Sequence, residues 1–246
     1  MGQSFSPLYL KSGDIESRSI SDFQVFSERC SGSNFVKSLI ENNLDVNFRN
    51  QYGWKHGFPS MIATKPNSVA IGVFRNPENW LRSLHRRPWH VSKDLKSLPF
   101  SEFIRAEWST IVNKISDFKL PNDGGYQDRP LLLDRDPVTG APFANIIKLR
   151  DAKNRGLWSL ANRFDNVILV RYEDVVANQR GFVELLSAHF GLGLKDSVAP
   201  IGTYKGRSDG KPFVKKIYPD ISQADANFIW STIDIEMEKK LGYFIK

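Results

Sequence analysis

The chain of 246 residues holds one cysteine, Cys30, so it can close no internal disulfide and build no cysteine-rich zinc site. It lacks any run near the roughly 20 apolar residues that span a bilayer. Its opening residues mix Ser, Gly and charges where a secretory leader would carry an apolar stretch. These absences predict a cytoplasmic protein with no membrane span. No GxxxxGK[ST] string occurs, which excludes a standard Walker loop. Repeats, heptads and low-complexity tracts are missing as well.

What is present suits one α/β domain with a sizeable core: 41% of the residues are hydrophobic and 25% charged. A net charge of +7 favours anionic partners, and no nucleic-acid motif accompanies it. Residues 1–20 read as a polar, extended lead-in, and 21–246 as a single α/β domain.

Phe23-Gln24-Val25-Phe26 has the bulk of a strand, and Phe35, Val36, Leu39, Ile40 and Leu44 follow at helical spacing, with Ser33 or Asn34 as the cap. Ser68 to Phe74 is nearly continuous in apolar residues, as for a strand covered on both faces. Pro77 opens a helix carrying Trp80, Leu81 and Leu84. The basic run Arg82 to Lys93 reads as a solvated face. Spacings of three and four predict an amphipathic helix from Pro99 to Ile115. The Pro- and Gly-rich residues 117–142 predict an irregular insertion or lid. A helix from about Asn145 to Phe164, a strand over Asn166 to Arg171, a helix over Phe182 to Phe190 and one over about Ser222 to Leu241 complete the pattern. It predicts a three-layer α/β/α fold with a mainly parallel sheet.

Two strand-to-helix junctions carry the chemistry. Ser27-Glu28-Arg29-Cys30-Ser31-Gly32-Ser33-Asn34-Phe35 places a glycine and a helix start together, where backbone N–H groups can meet an anion. Ile71-Gly72-Val73-Phe74-Arg75-Asn76-Pro77 ends a strand in a guanidinium, with Ser83 eight residues after Arg75 on the following helix. A bidentate Arg and a hydroxyl two turns on can grip one phosphate from two sides. Cys30, inside an anion loop, reads as a space-filling thiol.

This ordered pair resembles the donor site of sulfotransferases, and further motifs fall in the family's order. Lys55-His56 with Phe58-Pro59 is similar to its Lys-x-His-x-Pro element, Tyr172-Glu173-Asp174 to its Tyr-Glu-Asp strand end, and Lys205-Gly206 to its terminal Arg-Lys-Gly loop. The resemblance spans about 23–211 and implies a P-loop-like nucleotide-binding fold. It also implies 3′-phosphoadenosine 5′-phosphosulfate as donor, no metal, and a hydroxyl or amine of a glycan, lipid or small molecule as acceptor. Arg29, Cys30, Ser31, Gly32, Ser33 and Asn34 would line the 5′-phosphosulfate loop and Phe35 would stack on the adenine. Arg75 and Ser83 would hold the 3′-phosphate, with Lys205, Gly206 and Arg207 closing over it and Tyr172 near the base. His56 would be the general base, with Arg29 and Lys55 facing the charge on the bridging oxygen. The chain departs from the pattern at Cys30, where a loop cation is usual, in the adjacency of Lys55 and His56, either of which can face the site, and at Tyr204. Two other readings fit the residues. One is a P-loop kinase-like phosphotransferase using Glu173 and Asp174 for a metal, and the other a non-enzymatic module for polyanions or nucleic acid.

Overall fold

The computed structural model describes residues 4–13, 19–118, 120–121, 124–203, 210–212 and 218–245. In chain order the elements are β1 (Tyr9–Lys11), β2 (Asp22–Ser27), α1 (Ser33–Asn43), β3 (Asn47–Phe48), β4 (Ser68–Phe74), α2 (Pro77–Arg86), α3 (Lys93–Ser97) and α4 (Phe100–Phe103). Then follow α5 (Ile146–Trp158), α6 (Leu160–Arg163), β5 (Asn166–Arg171), α7 (Tyr172–Ala177), α8 (Gln179–Phe190), α9 (Gln223–Thr232) and α10 (Ile235–Lys240). Among the described residues no helix is long and apolar enough to cross a membrane.

The chain divides into two compact units. The first, Met1–Lys55, Pro59–Asn76 and Leu157–Ile217, holds a five-stranded sheet in the order β1-β5-β4-β2-β3. β2, β3, β4 and β5 run parallel, and β1 lies antiparallel against β5. The protein is therefore mixed α/β with a mostly parallel sheet, as its strand-and-helix alternation predicts. Register pairs Val25 with Ile71 and Ile71 with Ile168, so equivalent residues face the same side. On that side Phe23, Val25, Val69, Ile71, Val73, Ile168 and Val170 pack with Val36, Leu39 and Ile40 of α1 and Phe182, Val183 and Leu186 of α8. The opposite face is covered by aromatic contacts: Phe26 with Phe164 at 6.0 Å, Phe74 with Trp158 at 6.4 Å. Every residue of β4 is buried, which explains its unbroken apolar run.

The second unit is His56–Phe58, Pro77–Gly156 and Tyr218–Lys246. Its core gathers Trp80, Leu84, Phe103, Trp108, Ile146 and Ile229, all at most 1% exposed. A buried ion pair crosses it: Arg150 donates from Nε and Nη2 to the two oxygens of Glu238, at 2.8 and 3.0 Å. Asn154 adds a third donor to Glu238 at 3.1 Å, and the Arg150 guanidinium lies 5.1 Å from the Trp80 ring centre.

Several expectations from the sequence are corrected. The helix over Pro99 to Ile115 is only α4; beyond it the backbone extends and bridges Thr110 to Val91 and Ile111 to Pro130. Thr110, Ile111 and Val112 are β-branched, and a folded loop buries Trp108 and Val112 as well as a helix would. The final helix is two, because Asp234 turns to cap α10 by accepting from the Met237 N–H. The start of α1 is held by Gly32, with φ 87°, rather than by a Ser33 or Asn34 side chain. The lead-in contains β1, and Phe5 packs on the Phe182 ring at 5.3 Å. Tyr172-Glu173-Asp174 opens α7. The basic run is not wholly solvated: His90 is 5% exposed and its Nδ1 pairs with the Asn113 amide oxygen at 2.9 Å. The described part of 117–142 has no strand or α-helix, yet Leu131 and Asp134 are buried anchors within it.

Candidate functional site

The junction between β2 and α1 is set by backbone hand. Cys30 has φ 62° and Gly32 φ 87°, so the chain is left-handed twice in three residues before α1 begins. Successive N–H groups converge in such turns, and anions settle there. α1 has no side-chain cap and no acid in its first turn, so its own residues do not offset the positive end of the helix. Ser31 and Ser33 are buried, and Asn34 is exposed. Arg29 is built into the base of the loop: it is 2% exposed, and both its backbone N–H (2.8 Å) and its Nε (3.0 Å) donate to Glu28 Oε1. Its guanidinium carbon lies 5.9 Å from the Trp54 ring centre.

The ends of β4 and β5 close on this loop. Arg75 donates from Nη1 to the Cys30 carbonyl at 2.5 Å and rests 5.1 Å from the Tyr172 ring centre. Tyr172 stands edge-on to Phe35, with centroids 5.9 Å apart. It packs so tightly on Gly32 that a Cβ there would lie 2.2 Å from Tyr172 Cδ2. Glu173 Oε1 accepts the Asn76 N–H at 3.0 Å, and Asp174 pairs with Arg171 at 2.6 Å. Both acids that a phosphotransferase would lend to a metal thus have protein partners. Among the described residues no group of three or more His, Cys, Asp or Glu is placed to hold a metal ion.

The topology explains why these pieces meet. β2 leads onward to β3 on one side of itself, whereas after β4 the chain rejoins the sheet at β5 on the other side. Where connections diverge in this way, the crevice at the carboxyl ends of the two strands is left open, and ligands of open α/β sheets bind there. The loop at Cys30 and Gly32 and the guanidinium of Arg75 flank that crevice.

Lys55 joins from the segment after β3. Gln24, fully buried in β2, donates to the Gly53 carbonyl (2.9 Å) and accepts the Tyr52 N–H (3.0 Å), while the Lys55 carbonyl accepts the Ser27 N–H at 3.0 Å. So fixed, Lys55 Nζ donates to Asn34 Oδ1 at 2.5 Å, at the first turn of α1. Burial, and then the positive charge of Lys37, pull the Lys55 amine down from 10.5 to about 8. Lys37 itself is paired with Glu41 at 2.6 Å.

The structure therefore brings together Arg29 to Phe35, Lys55, Arg75 and Tyr172, all in the first unit. His56 and Ser83 belong to the second. Ser83 is half-buried in α2, and the His56 carbonyl accepts from Lys153 Nζ. Lys205, Gly206 and Arg207 lie outside the described residues. Sequence reasoning missed Gln24 and Glu28 as supports; for Gln24 a polar residue inside an apolar strand was the available signal, and Glu28, just past the strand end, gave none. No protein-family model and no curated protein matches this chain.

Proposed function

We propose that the chain is a sulfotransferase of P-loop-like fold that moves a sulfuryl group from 3′-phosphoadenosine 5′-phosphosulfate to a hydroxyl or amine. The observation that carries this reading is the meeting of the Cys30–Gly32 loop, Arg75 and Tyr172 at the switch point of the sheet. The donor set fits a doubly anionic nucleotide: helix amides without a capping acid, one guanidinium, one lysine, and two aromatic rings, Phe35 and Tyr172. When bound, that nucleotide supplies a sulfuryl group activated by a phosphate leaving group.

The protein's part is positioning and charge stabilisation. Lys55 and the first-turn amides of α1 face the anion, and Arg75 holds a phosphate. The resemblance gives the acceptor's proton to His56, next in sequence to Lys55. Arg29, committed to Glu28, supports the loop.

Isothermal titration with adenosine 3′,5′-bisphosphate tests this directly. Binding is expected, and Arg75→Ala should weaken it by about 1–3 kcal/mol, the scale for losing a charged hydrogen-bond partner. Absence of binding by the native protein, with ATP and magnesium bound well, rejects the reading.

Lys55 gives the interaction a pH signature. Its folded value of about 8 lies below the unfolded value of 10.5, so the unfolded chain holds more protons between these limits. Stability from this group rises with pH across that window, and its cost is fully present below about 8. A bound anion reverses the preference by favouring the charged amine. Affinity for adenosine 3′,5′-bisphosphate should therefore be level between about pH 7 and 8, where the phosphates are fully ionised, and fall by up to about tenfold per unit above 8. In Lys55→Met the curve should be flat across that range; a native curve that is equally flat removes Lys55 from the site.

A further inference from the structure

Lys153 stands at the centre of an arrangement that the reaction as proposed does not use. It lies in α5, 2% exposed, and its ammonium donates to three oxygens: the His56 carbonyl, the Leu133 carbonyl at 2.9 Å and Asp134 Oδ1 at 2.9 Å. Asp134 is 1% exposed. The same ammonium sits 4.7 Å from the centre of the Phe58 ring, which stacks on Phe143 at 6.3 Å. One cation thus touches both ends of the turn His56-Gly57-Phe58, and all these residues belong to the second unit.

That turn has no helix or strand bonds of its own. Lys153 is one side chain that anchors it, at the His56 carbonyl and at the Phe58 ring. A buried ion pair is a poor way to gain stability, because removing both charges from water offsets most of their attraction. It is a good way to fix geometry: three tetrahedral donors on three acceptors leave the ammonium one orientation.

We propose that Lys153 is a positioning residue that fixes the backbone at His56, and with it the stance of the imidazole. The proposal deepens the sulfotransferase reading, since it takes His56 as the base. It also links that base to the turn at Leu132–Asp134, whose Leu132 is exposed although its neighbours Leu131 and Asp134 are buried.

The test uses the full-length protein and its four histidines, His56, His85, His90 and His189. Diethylpyrocarbonate modification, followed residue by residue by mass spectrometry from pH 5 to 8, gives each imidazole its own titration curve. In Lys153→Met the His56 midpoint should move by about half a unit or more, while the other three curves stay in place. Turnover of the donor should drop by about 100-fold with little change in KM. Lys153→Arg keeps the charge and loses the tetrahedral donors, so it should shift His56 in the same direction by less. It carries the comparison if the Met variant proves unfolded. A His56 curve that overlays the native one in a folded variant overturns the proposal. Binding of adenosine 3′,5′-bisphosphate, measured on the same samples, separates the two ideas. Its absence from the native protein ends the sulfotransferase reading and leaves the His56 comparison intact.

Discussion

Replacing Gly32 with alanine is expected to destabilise the protein by about 2–5 kcal/mol and, on the proposed sulfotransferase reading, to abolish binding of adenosine 3′,5′-bisphosphate. Two costs combine. The backbone there has φ 87°, a left-handed conformation that costs a residue with a Cβ about 1–2 kcal/mol. The new methyl would also lie 2.2 Å from Tyr172 Cδ2 and 2.4 Å from Cε2, so the ring must leave its place against Phe35 and Arg75. Overpacking of this kind adds about 1–3 kcal/mol. A double-mutant cycle separates them. In a Tyr172→Ala background the collision is gone, and Gly32→Ala should cost only the backbone share. Urea denaturation of the four proteins reads the cycle. If Gly32→Ala alone lies within about 0.5 kcal/mol of the native protein, Tyr172 does not pack against Gly32 in solution.

Glu238→Ala should be similarly severe, at about 3–5 kcal/mol, for a different reason. Arg150 is 1% exposed; burial opposes its charge most strongly, and the charge and hydrogen bonds of Glu238, with smaller contributions from Tyr243 and Asp151, together raise the guanidinium above its ordinary value. Without Glu238 the charge stays in the core beside Trp80 while Asn154 loses an acceptor. Removing both charges is another matter. Arg150→Met with Glu238→Leu should recover most of the loss, since apolar side chains of like volume commonly replace buried ion pairs at little cost. Thermal unfolding followed by tryptophan fluorescence reports on both variants. Equal stability of Glu238→Ala and the native protein would place the pair outside the core.

The sequence was most readable where burial left it no choice. Ser68 to Phe74 and Asn166 to Arg171 appear as strands with the bounds their apolar runs imply, because both faces of each strand are covered. Pro99 to Ile115 misled because spacings of three and four identify residues that face inward, not the backbone that carries them; Phe103, Ile104, Trp108 and Val112 are all buried without a common helix. β3 has two residues, too few for any period. At the site, the order of the motifs was visible, and so was the pairing of a glycine loop with a strand-end arginine. The fate of Arg29 was not. A neighbouring Glu28 can be an ion-pair partner or a bystander, and only the fold decides. The approach of Lys55 to Asn34 depends equally on Gln24 reaching sideways to Tyr52 and Gly53; a polar residue in the strand marks Gln24, but nothing local names its distant partners.

The antiparallel strand β1 has a consequence for how the sheet is assembled. Tyr9–Lys11 is made early, yet its partner Val167–Leu169 is made only after most of the sheet and much of the second unit. Such distant pairing is slow to form, because a long loop must close first. Until it does, β5 offers a row of bare amides and carbonyls to any passing strand. Tyr9–Lys11 thus acts as a late seal on the rim of the sheet, and conditions that loosen it would favour sticking between molecules before any loss of the parallel core.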